Sequence, residues 1–487
     1  MSIVSEISRI NNNIADAYTS VSNKNGTLPQ VQNSANLSSA IDSIPTEGGG
    51  GSAESNDVNF YDYDGTIVHS YSASEFAELT TMPENPTHQG LTAQGWNWSL
   101  ADAKEYVAEY GMLDVGQMYI TDDGKTRIYI TLEEGRLEPY LGFAINGTAT
   151  VDWGDGNTET VTGTRISTIV YTQHSYQAEG NYIITIESDN LIYLLGSSSV
   201  GCGVISNHYI SSSSTMRYNN VYQNTIKKVE LGNNARLGEY SFYYCFSLSS
   251  ITMSNNITAI GTRAFSYCAL NYITVPNSVT SMQNGCFNSC TSMKNISIPK
   301  LVQSFIDLAY CTSLKRIALS DNISTVGSDA FKECYALEKI VITNQIYSIG
   351  SNAFKYCYPL KNINLPSNFS SLSTYMFSDC YSLNYLILPN KVKIIPNYLC
   401  YSCYSLSKVV FLGDITQINY NAFYDCRGVS YYDFTNNTAI PTLSGTNAFQ
   451  NIPTDCKIIV PDDLYDSWIA ATNWSNFANN IVKESEA

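Results

Sequence analysis

The sequence is poor in charge. Only 14% of its 487 residues are Asp, Glu, Lys or Arg, and 26 basic residues face 43 acidic ones, a formal net charge of −17. That balance argues against nucleic acid as the main partner, although a total can conceal a basic patch. No run approaches the roughly 18 uninterrupted apolar residues of a membrane span, so no membrane insertion is expected. The opening MSIVSEISRINNNI has neither a basic start nor an apolar core, and no secretory signal peptide is read there. Thirteen cysteines fall far below the density of a small disulfide scaffold. The four histidines (His69, His88, His174 and His208) have scattered spacings that offer no zinc site. No G-x-S-x-G, Walker loop or G-x-G-x-x-G occurs. No catalytic residue, metal or cofactor is therefore assigned, and the chain is not read as an enzyme. What abounds is tyrosine, 37 against 17 phenylalanines, within a hydrophobic share of 44% that is too high for disorder. Several domains are expected, since one usually takes roughly 100–200 residues.

The dominant pattern is an internal repeat. Segments starting at Leu314, Leu337, Leu360 and Leu383 align without gaps at 23 residues. Starts at Ile226, Leu248, Leu270, Met293 and Leu406 extend it to nine units over residues 226–428. Positions four and six are apolar (Ile317 and Leu319, Leu386 and Leu388), the period of a strand with one buried face. One unit cannot bury its apolar edge alone, whereas stacked units share a continuous core. Through Ala264-Phe265, Ala330-Phe331, Ala353-Phe354 and Ala422-Phe423, each followed by x-x-Cys, the repeat resembles the BspA-type leucine-rich repeat. The resemblance implies a solenoid. A degenerate unit with Asn447-Ala448-Phe449 and a tail holding Trp468 and Trp474 resembles its C-terminal cap, within residues 429–487.

Once per coil comes a cysteine: Cys245, Cys268, Cys290, Cys311, Cys334, Cys357, Cys380, Cys403 and Cys426. These are expected to be small, buried apolar side chains. The next position carries Tyr335, Tyr358, Tyr381 and Tyr404, which should stack into a surface row. Such a row can offer rigid amphipathic area to a sugar or peptide, or can simply stiffen the solenoid. These four are the candidate receptor-binding residues.

Upstream, Ile3, Ile7, Ile10, Ile14, Ala17 and Val21 make a short heptad seam within a helical segment at 1–45. Isoleucine at both core positions leans toward trimers, so a homo-oligomer is expected, with a monomeric amphipathic helix as the alternative. Residues 46–54 hold the flexible tether GGGGS, and residues 55–135 read as a small α+β region. In residues 136–195, Val151-Asp152-Trp153-Gly154-Asp155-Gly156 followed by His174-Ser175-Tyr176 resembles a PKD-like immunoglobulin sandwich. Residues 196–225 form a join without an assignment. The fold class is thus multidomain and mainly β.

Two motifs imitate chemistry. Asp62-Tyr63-Asp64-Gly65-Thr66 is similar to the D-x-D-G-T of haloacid-dehalogenase phosphatases, but too few residues follow for that fold and a hairpin turn explains it better. Asp152, Asp155, Asn157 and Glu159 could ligate calcium, yet their spacing is not that of an EF-hand and Gly-Asp-Gly-Asn is an ordinary turn.

Residues 8–44 and 59–100 also resemble segments of tail-associated proteins of bacteriophages. That resemblance implies a virion protein, docked through its N-terminus on tail or baseplate proteins, whose solenoid binds a host-surface glycan or protein during attachment. The alternative is a bacterial cell-surface adhesin with the same repeats. Within 226–428 there are 16 basic and 10 acidic residues, against 10 and 33 elsewhere, so a solenoid of +6 is mounted on a strongly acidic remainder.

Overall fold

The computed structural model of the chain describes residues 57–196, 204–206, 222, 224–303 and 307–487. The heptad seam at Ile3–Val21, the tether at Gly48–Ser52, Cys202, His208 and most of the join at 196–225 lie outside the described residues.

The chain divides into two compact units. The smaller one includes Ser70–Thr80 and Ala101–Leu113 and is built on two helices. Helix α1 (Ala73–Glu78) starts with a capping box in which the Ser72 and Glu75 side chains satisfy each other's backbone N–H groups. Those hydrogen bonds hold the Glu75 carboxyl below its ordinary value. Helix α2 (Leu100–Tyr110) carries Lys104, whose Nζ donates to the Ala77 carbonyl at 2.6 Å. Neither is long and apolar enough to cross a membrane, and the same holds for every helix among the described residues.

The larger unit holds the rest. Strands β1 (Val58–Tyr61), β2 (Ile67–Tyr71), β3 (Leu91–Trp96) and β4 (Leu113–Thr121) form a sheet in the order β2-β1-β4-β3. Then come β5 (Thr126–Leu132), β6 (Tyr140–Asp152), β7 (Thr158–Gln173), β8 (Gly180–Glu187), β9 (Ile192–Leu194) and β10 (Ile205–Ser206). The first coil supplies β11 (Ile226–Glu230) and β12 (Ala235–Leu237), and the second supplies β13 (Ser250–Thr252). All nine belong to one hydrogen-bonded sheet. In it β5 pairs antiparallel with β11, setting Ile128 opposite Val229, and β9 pairs parallel with β12. The sheet therefore crosses the boundary drawn at residue 135, and the sequence before the repeats covers the open edges of the first coil. The physical reason is edge protection: a solenoid end presents unpaired N–H and C=O groups that need a partner.

From there the coils repeat. Arg316, Ile317 and Ala318 pair parallel with Lys339, Ile340 and Val341, and Lys408 pairs with Tyr431, so the 23-residue stride is the register itself. Phenylalanines of successive coils stack inside, with Phe331 and Phe354 centred 5.4 Å apart and nearly parallel. One hydrophobic core runs without a break from Ile128 to Ile481. At the far end, helix α3 (Tyr465–Ala470) brings Trp468 against Trp474 at 5.4 Å, and both are buried over Phe434. The Trp474 indole donates to the Pro441 carbonyl at 2.8 Å.

Each coil turns on residues with positive φ, for example Asp329 and Glu333, Asn352 and Tyr356, Tyr375 and Asp379, and Tyr398 and Ser402. Left-handed backbone costs an L-residue roughly 1–2 kcal/mol. It is held because these N–H groups donate to the next coil: Asp329 to Ser351, Glu333 to Lys355, Asp379 to Tyr401.

The ladder cysteines require a correction. They are buried as expected, but they are more than apolar filler. The Cys334 thiol donates to the Leu308 carbonyl at 3.3 Å, Cys357 to Phe331 at 3.2 Å and Cys403 to Phe377 at 3.1 Å, each on the preceding coil. Cysteine is small enough for the core, and its thiol adds a donor from the next coil to a carbonyl that already accepts the backbone N–H of its own coil's cysteine, as Leu308 does from Cys311 and Phe331 from Cys334. Burial pushes the Cys290 thiol up to about 12. Cys245 differs from the others in being disulfide-bonded.

Candidate functional site

The phosphatase-like D-x-D-G-T stretch is a hairpin turn. Asp62 N–H donates to Thr66 O at 2.9 Å, and Gly65, at φ +88°, closes the turn onto Asp62 O. The Asp62 carboxylate is buried between the Tyr119 hydroxyl (2.9 Å) and His88 Nε2 (2.7 Å), while Asp64 accepts from the Thr66 N–H. Both carboxylates are occupied in holding this turn.

The calcium-like stretch is structural as well. Trp153 is buried with the His174 ring stacked on it at 4.9 Å, and Tyr176 donates to the Trp153 carbonyl at 2.8 Å. A Cβ on Gly154, at φ +78°, would stand 2.6 Å from the Ile183 carbonyl oxygen, so only glycine fits. Asp155 accepts from His174 at 2.7 Å and from the Asn157 N–H; against the opposing effect of partial burial, these bonds hold its carboxyl low. Glu159 turns instead to the Thr172 hydroxyl. The four calcium candidates therefore do not converge, and among the described residues no group of three or more His, Cys, Asp or Glu could hold a metal ion.

The tyrosine row is present as a stack. Tyr335 and Tyr358 are centred 5.2 Å apart, Tyr358 and Tyr381 4.7 Å, and Tyr381 and Tyr404 4.9 Å, with interplanar angles of 3°, 15° and 25°. The spacing is that of neighbouring strands, about 4.8 Å, because each ring leaves its coil at the same register position. Ring faces are turned to one another, so the row presents ring edges and hydroxyls outward. Tyr335 and Tyr404, at the two ends, are 40% and 41% exposed. Tyr335 donates to Glu333 at 2.7 Å, which pushes its phenol up to about 12.

One further residue ends the row. Arg427 lies 23 residues beyond Tyr404, directly after the last ladder cysteine, and its guanidinium sits 5.6 Å from the Tyr404 ring centre. Asp425 holds it with two hydrogen bonds of 2.8 and 3.1 Å. Its position after Cys426 is the signal that could have identified it from sequence.

A neighbouring cleft of about 410 Å³ is walled by a second set of tyrosines. Tyr375 stacks on Tyr398 at 4.4 Å, and Tyr401 on Tyr424 at 5.0 Å. The two pairs meet where Tyr398 and Tyr401 are centred 5.7 Å apart at 53°. Both pairs repeat at 23, yet each spans only two coils: the rung before Tyr401 is Ser378 and the rung after Tyr398 is Asn421. Pairs that brief do not stand out from the sequence among 37 tyrosines.

Coils, cap and exposed aromatic face together define a leucine-rich-repeat solenoid. The chain carries BspA-type leucine-rich repeats: residues 214–336 and 307–430 match the family model described as BspA type leucine rich repeat region, in six copies. Among solved structures, it is similar to a leucine-rich repeat protein from Bacteroides ovatus (21% identity, TM-score 0.38, covering 52% of this chain and 76% of that one). It is also similar to a leucine rich cell surface protein from Faecalibacterium prausnitzii (24%, 0.33, 44% and 60%) and to the pneumococcal vaccine antigen PcpA (19%, 0.37, 51% and 67%). No curated protein matches. The family match spans the repeats and a few residues on either side, and it gives no support to the phage-tail or PKD-like resemblances.

Proposed function

We propose that the protein is a non-catalytic attachment protein whose solenoid binds an extended surface ligand, a glycan or a protein, along the row Tyr335, Tyr358, Tyr381 and Tyr404. The carrying observation is that these rings are stacked at coil spacing with their edges and hydroxyls turned out. A mutually stacked row loses little freedom when a ligand arrives, and ordering losses are a main cost of binding. Tyrosine adds apolar area and a hydrogen-bonding tip at each rung. The BspA-type repeats favour the adhesin form of this reading, display on a bacterial surface, over the virion form.

The test is adhesion of cells or beads bearing the chain with Tyr358→Ala and Tyr381→Ala together. Attachment is expected to fall at least tenfold with the thermal melt still cooperative. Unchanged attachment by a folded double variant would reject the row as the binding surface. Locating the native protein by immunogold labelling separates the two forms: label on the cell wall supports the adhesin, and label on phage particles supports the virion.

A further inference from the structure

The cleft beside the row differs from it in two physical respects. In the row, ring faces are covered by neighbouring rings. In the cleft each stacked pair ends after two coils, at Ser378 or Asn421, and the pairs meet at an angle, so a ring-sized space opens against aromatic surface. The second respect is charge. The Lys355 ammonium stands 4.9 Å from the Tyr356 ring centre and 4.6 Å from that of Tyr375, on the cleft wall. It rests on ring faces with the Asp379 carboxylate on the same cleft wall, whereas Arg427 is held by Asp425 in a direct ion pair. A cation resting on aromatic faces keeps its hydrogen-bond donors free for an incoming anion.

The third wall element is Asp379. Its Oδ2 accepts the Ser378 hydroxyl at 2.7 Å, and a carboxylate on the wall of the cleft has further acceptor capacity for donors on a ligand. Burial pushes this carboxyl upward, and the Ser378 hydroxyl and the Lys355 charge oppose that rise.

We propose that this cleft binds one carboxylate-bearing sugar unit, a hexuronate, of an acidic glycan. The apolar C–H face of the pyranose lies on the tyrosine corner, its carboxylate takes Lys355, and a ring hydroxyl donates to Asp379. A single lysine matches a singly charged carboxylate, whereas phosphate recognition calls for several donors or an arginine fork. The site is separate from the tyrosine row, so it extends the attachment reading and can fail without it.

The experiment is isothermal titration of the full chain with a hyaluronan tetrasaccharide, with neutral chitotetraose and glucose 6-phosphate as comparisons. The uronate is expected to bind at least about tenfold more tightly than chitotetraose. Lys355→Gln should abolish that preference, and Lys355→Arg should retain most of it. Tyr401→Ala should weaken the uronate at least fivefold. Tyr358→Ala with Tyr381→Ala should leave it unchanged while lowering adhesion. No binding of the uronate, equal affinity for the neutral sugar, tighter binding of the phosphate, or a preference that survives Lys355→Gln would each overturn the proposal. Adhesion that depends on the row in a chain whose cleft binds no uronate would leave the attachment reading standing and remove only this site.

Discussion

At the scale of the residue, the solenoid's unusual requirement is backbone handedness. Asp329 has φ of 61° and a partly exposed side chain whose nearest cation, Lys332, is 3.8 Å away, a pairing of little energetic weight. Gly285, at φ +65°, occupies the equivalent place in another coil and shows what the backbone prefers there. Asp329→Gly removes roughly 1 kcal/mol of steric cost and adds somewhat less in unfolded-state entropy. A net gain of about 0.5 kcal/mol in chemical denaturation is expected, and Asp329→Val should lose more than about 1 kcal/mol because a β-branched residue resists this region. Equal stability of the two variants would show that the turn is not strained. The tyrosines at Tyr375 and Tyr398 are also left-handed, so at those places a costly backbone is retained together with a large surface ring.

At the scale of the element, the sheet of β1 to β4 is fastened to the coils by polar groups. Arg316, near the start of its coil strand, donates to Asp114 of β4 at 2.7 and 3.2 Å, and both are buried. Beside them Asn97 donates to the Val275 carbonyl and the Trp98 indole to that of Ile298. Burial pushes the Asp114 carboxyl up and the guanidinium opposes that rise. Arg316→Met should therefore cost about 3 kcal/mol near neutral pH, because it leaves an unpaired buried charge. Without the arginine the carboxyl rises further and is neutral at acidic pH, so the loss relative to the parent chain should shrink as pH falls. A loss that stays the same from pH 7 to pH 4, measured by denaturant titration, would refute this account. None of it was legible in the sequence, since Asp114 and Arg316 are about 200 residues apart and neither belongs to a repeated position. What could be read were periodic features: the stride, the apolar strand positions, the recurring Ala-Phe and cysteine and the tyrosine row, with the Trp468 and Trp474 cap added by resemblance. Single events, such as β5 pairing with β11 or Cys245 entering a disulfide, have no period and left no trace.

At the scale of the whole molecule, the excess of basic over acidic residues in 226–428 opposes the acidity of the rest of the chain. Attachment to an anionic surface should then weaken as salt rises from about 0.05 to 0.5 M, several-fold or more, since the Debye length contracts from more than 10 Å to a few. Attachment indifferent to salt, followed by surface plasmon resonance, would mean that apolar contact alone governs it. The one-to-one register has a consequence for how such a molecule can change. In the coils from Leu314 to Ser405 each paired strand residue meets its counterpart 23 positions later, and the two ends are closed by different devices, the sheet of β5 and β9 at one and the tryptophans at the other. Recombination that gains or loses one whole repeat between Leu314 and Ser405 would rejoin in phase and leave both ends intact, whereas any fractional exchange would misalign every later ring. The gene can therefore lengthen or shorten its aromatic row by unequal crossing-over, altering the number of contacts a lineage presents without designing a new surface.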